Sequence, residues 1–219
     1  MEQLVLFDLD NTLIDRAGGF TIWAQGFTTA LGLEEAEVTW LEHLDSDGLR
    51  PRVEFFEKVR ERYGLRESAA DLLSAYRDDY PRCVPPLSEE TRTALRDLRA
   101  AGWKIGIATN GAASQETKIV NAGLDELVDG WVISEVAGAK KPESTIFEAA
   151  AHACGCALAG GWMIGDSPEA DIAGAIASGL SSVWIARGRE WDRETYRPTL
   201  VADSVAQAAA EIISRAGEG

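Results

Sequence analysis

The sequence predicts an α/β fold: a doubly wound parallel sheet with helices on both faces, interrupted by an inserted all-helical unit. Three observations carry this. From Pro86 onward, short apolar runs alternate with amphipathic segments of helical length. Between Asp15 and about Arg82 the strand signal vanishes and helical spacing takes over. Before both, the apolar run Leu4-Val5-Leu6-Phe7 reads as a strand buried on its two faces, and it breaks into two carboxylates, Asp8 and Asp10.

Taken in order, the first strand is followed by helical segments at Phe20 to Leu31, Ala36 to Leu44, Val53 to Tyr63 and Ala69 to Tyr80. Gly18-Gly19 and Pro85-Pro86 are the expected hinges, since glycine supplies freedom and proline stops a helix. The expected division is therefore a core of residues 1–14 and 84–219 with a helical cap, a candidate lid, at 15–83. Next come a helix from Ser88, its cap, to Ala101 before Gly102, and a strand from Trp103 to Ala108 ending at Thr109-Asn110-Gly111. A helix from about Ser114 to Ala122, a strand at Trp131 to Ser134, a loop holding Lys140-Lys141-Pro142 and a helix from Glu143 to about Cys154 follow. The last cycle is a strand at Trp162 to Ile164 ending at Gly165-Asp166-Ser167, a helix at Pro168 to Ser178, strands at Ser182 to Ala186 and Val201-Ala202, and a helix from Val205 to Arg215.

Composition narrows the function classes. The 219 residues, 46% of them hydrophobic, suffice for one good-sized core with an insertion. A formal net charge of −15 opposes binding to a phosphate backbone, so no nucleic-acid polymer is expected as partner. No apolar run of about 18 residues and no signal-peptide pattern occurs, so the expectation is a cytoplasmic protein, monomeric or homodimeric, without a membrane partner. Cys83, Cys154 and Cys156 are odd in number, lack a CxxC pair and read as reduced structural thiols.

Ligands of parallel sheets bind beyond the carboxyl ends of the strands. Three strands here close on Asp8/Asp10, Thr109/Asn110 and Asp166, so packing should gather these side chains at one edge. Asp8 and Asp10, alternating along an extended segment, lean to the same side. Asp8, Asp10 and Asp166 in one pocket repel, and a hard divalent cation, Mg2+, relieves this most directly. His43 lies in the helical insert and His152 inside a helix, which disfavours softer metals and a His base. With Lys141 and the Thr109 hydroxyl alongside, the cation makes a site for a phosphoryl dianion, and paired carboxylates suit attack on phosphorus by one and proton transfer by the other.

The segment Asp8-Leu9-Asp10-Asn11-Thr12 resembles the first signature of the haloacid dehalogenase superfamily. Thr109-Asn110-Gly111, the lysine of Gly138-Ala139-Lys140-Lys141-Pro142, and Gly165-Asp166-Ser167 followed by Asp171 resemble the other three, in the right order over nearly the whole chain. The resemblance implies a Rossmann-like core with a helical cap, and a Mg2+-dependent phosphatase acting on a small phosphate ester, a nucleotide or sugar phosphate, through an aspartyl-phosphate. It implies Asp8 as nucleophile and metal ligand, Asp10 as acid/base whose main-chain carbonyl also touches the metal, and Asp166 as a direct metal ligand. Thr109, Asn110 and Lys141 would bind phosphate, and Asp171 would stand in the outer metal shell or position Lys141. Within the superfamily, Val132-Ile133-Ser134-Glu135 running into Lys141-Pro142 is most similar to pyrimidine 5'-nucleotidases and acylneuraminate 9-phosphatases.

Each residue also has a plainer reading: a strand-end turn for Asp8 and Asp10, a helix cap for Asp166, an ordinary strand-end hydroxyl for Thr109, a macrodipole-favoured acid for Asp171. In the cap, Arg50, Arg52 and Lys58 are basic residues that would meet an anionic substrate or else lie solvated, and Phe20, Trp23 and Trp40 would wall a base or sugar or else pack the core. The competing functions are a phosphomutase of the same fold, a 2-haloacid dehalogenase, which needs one attacking aspartate and no metal, a receiver-type signalling module and a silent phosphate-binding protein. In a receiver the phosphorylated aspartate ends the third strand, which here ends at Ser134-Glu135.

Overall fold

The computed structural model describes residues 3–217 and divides into two compact units, residues 1–14 with 86–219, and residues 15–85. The first holds a six-stranded, wholly parallel sheet: β1 (Gln3–Phe7), β2 (Trp103–Thr109), β3 (Gly130–Ile133), β4 (Trp162–Gly165), β5 (Ser181–Ile185) and β6 (Leu200–Ala202), in the order β3-β2-β1-β4-β5-β6. β1 lies inside the sheet, paired with β2 from Gln3↔Trp103 and with β4 from Val5↔Trp162. Its apolar run is buried from both faces, as Leu4 through Phe7 require: Phe7 is 0% exposed. Chain order reverses direction across β1 and β4, and crevices open at such switch points.

The helices of this unit are α5 (Glu89–Ala100), α6 (Gln115–Asn121), α7 (Ser134–Ala137), α8 (Ser144–Ala153), α9 (Gly174–Ala177) and α10 (Val205–Gly217). Ser88 caps α5, its hydroxyl accepting from Thr91 N at 3.1 Å. Ile146, Phe147 and Ala150 of α8 pack with Leu4, Leu6 and Met163 of the sheet. Two departures from the sequence reading bear on the site. Ser134–Ala137, expected as strand end and loop, form the short helix α7. The helix expected from Pro168 begins instead as a wide π-type turn, Pro168–Ala173, before α9. The three cysteines are free thiols.

The second unit is built of α1 (Arg16–Ala30), α2 (Ala36–Asp45), α3 (Arg52–Tyr63) and α4 (Ala69–Cys83). Its interior is aromatic: Trp23 lies edge-on to Tyr76 at 4.9 Å between centroids, and Phe55 edge-on to Phe56 at 4.9 Å. Phe20 and Trp23 are thus core residues, and half-buried Trp40 packs under the Arg62 guanidinium at 4.4 Å. Gly18-Gly19 is not a hinge. Both glycines sit in the first turn of α1, where Gly18 N donates to the capping Asp15 carboxylate at 2.8 Å and a Cβ on Gly19 would stand 3.0 Å from Val84 Cα. The pair serves capping and close approach rather than freedom. Arg50 is paired with Glu54 and Arg52 with Asp45, each at 2.5 Å, while Lys58 is exposed. Asp45 also takes the buried Arg16 at 2.8 Å. Among the described residues no helix is long and apolar enough to cross a membrane.

Candidate active site

The site is assembled entirely within the sheet-containing unit, at the carboxyl ends of β1, β2 and β4. Asp8 follows the last residue of β1 and is held in line by donating its N–H to Ile164 O of β4 at 2.9 Å. Beyond it the chain folds back: Leu9 O accepts from the N–H groups of Leu13 and Ile14 at 3.0 and 3.1 Å, and Asn11 takes φ +63°, which asparagine tolerates. Leu9 is fully buried, and the carboxylates on either side of it take different partners, Lys141 for Asp8 and Lys118 for Asp10.

Lys141 reaches into this opening. Its ammonium donates to Asp8 Oδ1 at 2.5 Å and to Asp171 Oδ1 at 2.6 Å, with the side chain 1% exposed, whereas the neighbouring Lys140 is exposed. Two devices hold it there. Asn110 clamps the Lys141 backbone, its Nδ2 donating to Lys141 O at 2.9 Å and its Oδ1 accepting from Lys141 N at 2.8 Å. Asp171 is itself fixed by accepting from Ser167 N at 2.9 Å, and Gly165 makes room for it, because a Cβ there would stand 2.2 Å from Asp171 Oδ2. The Asn110 side chain, expected to bind phosphate, is thus occupied at both ends in presenting Lys141.

Asp10 is engaged differently. Lys118 Nζ spans its two carboxylate oxygens at 2.8 and 2.9 Å, and Gln115 Nε2 donates to Oδ2 at 2.9 Å and to Thr109 Oγ1 at 3.0 Å. Thr109, the last residue of β2, is buried. The turn after it is braced from α7: Gly111 N donates to Ser134 Oγ at 3.0 Å and Ala113 N to Glu135 Oε2 at 2.8 Å. Gln115 and Lys118 escape a motif reading, and Ser134 and Glu135, which lie in a recognised segment, had no role assigned from it. The usable signal was the i, i+3 spacing of two long polar residues in the helix after Thr109.

The family model for haloacid dehalogenase-like hydrolases matches residues 2–179. The chain belongs to this family. Curated relatives of this haloacid dehalogenase-like hydrolase include a phosphoserine phosphatase of Thermus thermophilus, 33% identical over 76% of this chain and 63% of that protein. They also include a glyceraldehyde 3-phosphate phosphatase of Methanothermobacter thermautotrophicus, 27% identical over 84% of this chain and 86% of the relative. Against pyrimidine 5'-nucleotidase YjjG of Escherichia coli the identity is 36%, over 47% of this chain and 46% of the other. The chain therefore spans less than two thirds of the Thermus relative's length. Among solved structures, the magnesium-bound HAD-hydrolase YfnB of Bacillus subtilis superposes with a TM-score of 0.81 at 20% identity, covering 96% of this chain and 98% of that one. A HAD phosphatase from Thermococcus onnurineus gives 0.65 at 25% identity, covering 96% and 97%.

In this family member burial dominates the electrostatics of the acidic groups. Carboxylate oxygens of Asp8, Asp166 and Asp171 lie within 4.8 Å of one another. Burial pushes Asp8 up to about 7 against the attraction of Lys141, with Asp171 adding to the rise. Burial likewise raises Asp166 to about 6, the Asp8 charge helping and Arg189 and Arg187 opposing, and raises Asp171. Lys141 is raised too: its desolvation, which lowers it, is outweighed by Asp171 and Asp8 together, so it stays charged. On the far side, Arg187 and Arg189 approach Asp166 Oδ2 at 3.4 and 3.3 Å, and Trp184 Nε1 and Arg189 Nη2 donate to Asp166 O at 2.9 and 2.8 Å. Three raised carboxyls, all offering oxygen within 4.8 Å of one another, are a donor set that fits a hard divalent cation. The Asp10 side chain stands apart from these three, turned to Lys118.

Proposed function

We propose that this protein is a Mg2+-dependent phosphatase that hydrolyses a small phosphomonoester through an aspartyl-phosphate on Asp8. The observation that carries the reading is the Asp8 carboxylate at the end of β1, buried beside Lys141 with Asp166 and Asp171 around it and Asp10 held separately by other partners. Asp8, Asp166 and the Asp10 main-chain carbonyl would hold the ion, with Asp171 supporting. When bound, Mg2+ would neutralise the phosphoryl oxygens and keep Asp8 ionised. An Asp8 oxygen forms the bond to phosphorus as the ester P–O bond breaks, and Asp10 gives its proton to the departing alkoxide. Water then attacks the same phosphorus, Asp10 takes up the water proton, and the Asp8–phosphorus bond breaks to release phosphate. Lys141 and the Thr109 hydroxyl donate to the phosphoryl oxygens throughout. Retention of a separately held acid/base beside the nucleophile supports phosphoryl transfer over carbon–halogen hydrolysis, and the phosphatase names of the relatives point the same way.

The decisive assay is phosphate release from p-nitrophenyl phosphate and from a panel of serine, triose and nucleoside monophosphates. Activity is expected with Mg2+ and a loss of about a hundredfold or more on chelation. Turnover indifferent to chelation would refute the reading.

A pH dependence follows as well. Carboxyls raised in the folded state favour folding when protonated, so their contribution is fully present below about pH 4 and is lost as pH rises through about 6 to 7. Protons and cation compete for the same oxygens. Mg2+ is therefore expected to raise the melting temperature clearly at pH 8 and little at pH 5, measured by differential scanning fluorimetry; an equal rise at both would count against these ligands.

A further inference from the structure

Two lysines divide two aspartates in this site, Lys141 taking Asp8 and Lys118 taking Asp10. We infer that Gln115 and Lys118, on one face of α6, are positioning residues that aim the Asp10 carboxylate and the Thr109 hydroxyl at the ester; this rests on the phosphatase reading above. Four features support the assignment.

The geometry is bidentate: Lys118 meets both Asp10 oxygens at 2.8 and 2.9 Å, which fixes the plane of the carboxylate as well as its distance. The pair is also no surface ion bridge, since Lys118 is 5% exposed and Gln115 3%. An ammonium and an amide are costly to bury unless partnered, and α6 offers solvent-facing positions to either.

Gln115 couples two functions through one nitrogen. Asp10 is an acceptor, so the amide must present Nε2 to it, and the second hydrogen of that nitrogen goes to Thr109 Oγ1 at 3.0 Å. With its lone pair engaged by Gln115, the Thr109 hydroxyl directs its own proton elsewhere, into the space where a phosphoryl oxygen needs a donor. Finally, the backbone is cut to fit. A Cβ on Gly111 would stand 2.6 Å from Gln115 Cγ, so the residue after Asn110 must be glycine for Gln115 to lie where it does.

The consequence is a division of labour. Without Lys118, Asp10 would lose the partner that meets both its oxygens, and the proton donor would no longer be held on the leaving group. Loss of Lys118 should thus injure proton delivery more than phosphate binding, which a general loss of packing would not do.

The test compares two esters in purified Lys118→Met with Mg2+ present: p-nitrophenyl phosphate, whose phenolate leaves without help, and an alkyl phosphate, whose alkoxide must be protonated. We expect kcat on the alkyl ester to fall by about 10- to 100-fold, a fraction of what a general acid supplies. KM should be nearly unchanged, and the loss on p-nitrophenyl phosphate under about threefold. Lys118→Arg, which keeps the bidentate donor, should recover most of the alkyl-ester rate. In an Asp10→Asn background, Lys118→Met should add no further loss. Equal losses on the two esters, or full additivity with Asp10→Asn, would overturn the assignment. Should Lys118→Met fail to fold, Gln115→Met carries the same ester comparison, with a rise in KM added because Thr109 loses its orientation. A wild type inactive on both esters overturns the phosphatase reading and this one with it; an active wild type with an unselective variant overturns this one alone.

Discussion

Asp8→Asn is expected to lower phosphate release by about 10,000-fold or more while leaving the protein folded. An amide offers no nucleophilic oxygen comparable to a carboxylate, and removing the attacking group of a covalent mechanism costs losses of this order because the remaining groups act only in concert with it. The change is nearly isosteric, so the backbone bond from Asp8 N to Ile164 O and the fully buried Leu9 beside it should persist. Stability supplies an independent reading. Asp8 is raised to about 7 by burial, so its ionised form strains the metal-free fold at pH 8, and a neutral amide should leave the melting temperature unchanged or higher there. Mg2+ should then raise that temperature less than in the wild type, one ligand charge having gone. A variant that retains a tenth of the activity would remove Asp8 from the mechanism.

Lys141→Met should be as damaging in two separate ways. Among the described residues the lysine is the ammonium bonded to both Asp8 and Asp171, at 2.5 and 2.6 Å and 1% exposed, so its loss takes that cation from two buried carboxyls. Breaking a buried pair by deleting one partner typically costs about 3–5 kcal/mol. The sign of its pH dependence is fixed: with the cation gone the folded-state values of Asp8 and Asp171 rise further, so the penalty is small at pH 5, well below the Asp8 value of about 7, and grows as pH increases. Activity should fall about 100- to 1,000-fold with Mg2+ present, the range for losing one charged donor to a developing oxyanion. Thermal melts at pH 5 and pH 8 with parallel steady-state rates would check both halves; a melting temperature equally depressed at the two pH values would mean that packing, not charge, is what Lys141 supplies.

How legible this was from the sequence depended on whether a residue's role was announced by its place at a strand end. Asp8 and Asp166 sit where apolar runs stop, and parallel packing then brings them together, so the α/β order and two members of the acidic cluster could be read directly; the third is Asp171, while the Asp10 side chain expected there turns to Lys118. That neighbours in a loop diverge left one of Lys140 and Lys141 for the site, and the resemblance to the family pattern, with the lysine next to Pro142, chose Lys141. What could not be read were the partners of these groups. Gln115 and Lys118 lie on a seven-residue helix whose polar face looks solvated until the turn at Gly111 folds it against Asp10. Arg187 and Arg189 come to Asp166 from the loop beyond β5, a tertiary pairing without local trace. The bond of the Asn110 side chain to the Lys141 backbone could not be read either, because one amide suits a phosphate and a peptide equally well. Gly18-Gly19 failed for the opposite reason: flexibility is what glycine permits, and here Asp15 and Val84 took the space instead.

The pairing of β1 with strands beginning at Trp103 and Trp162 sets an order of assembly. During synthesis the first strand leaves the ribosome long before either neighbour exists, carrying an apolar run with nothing to cover it. The helices between, whose contacts are local, close quickly by comparison. Asp8 is therefore the first residue of the acidic cluster to be made, and it meets Asp166 and Asp171 only after β4 exists to pair with β1.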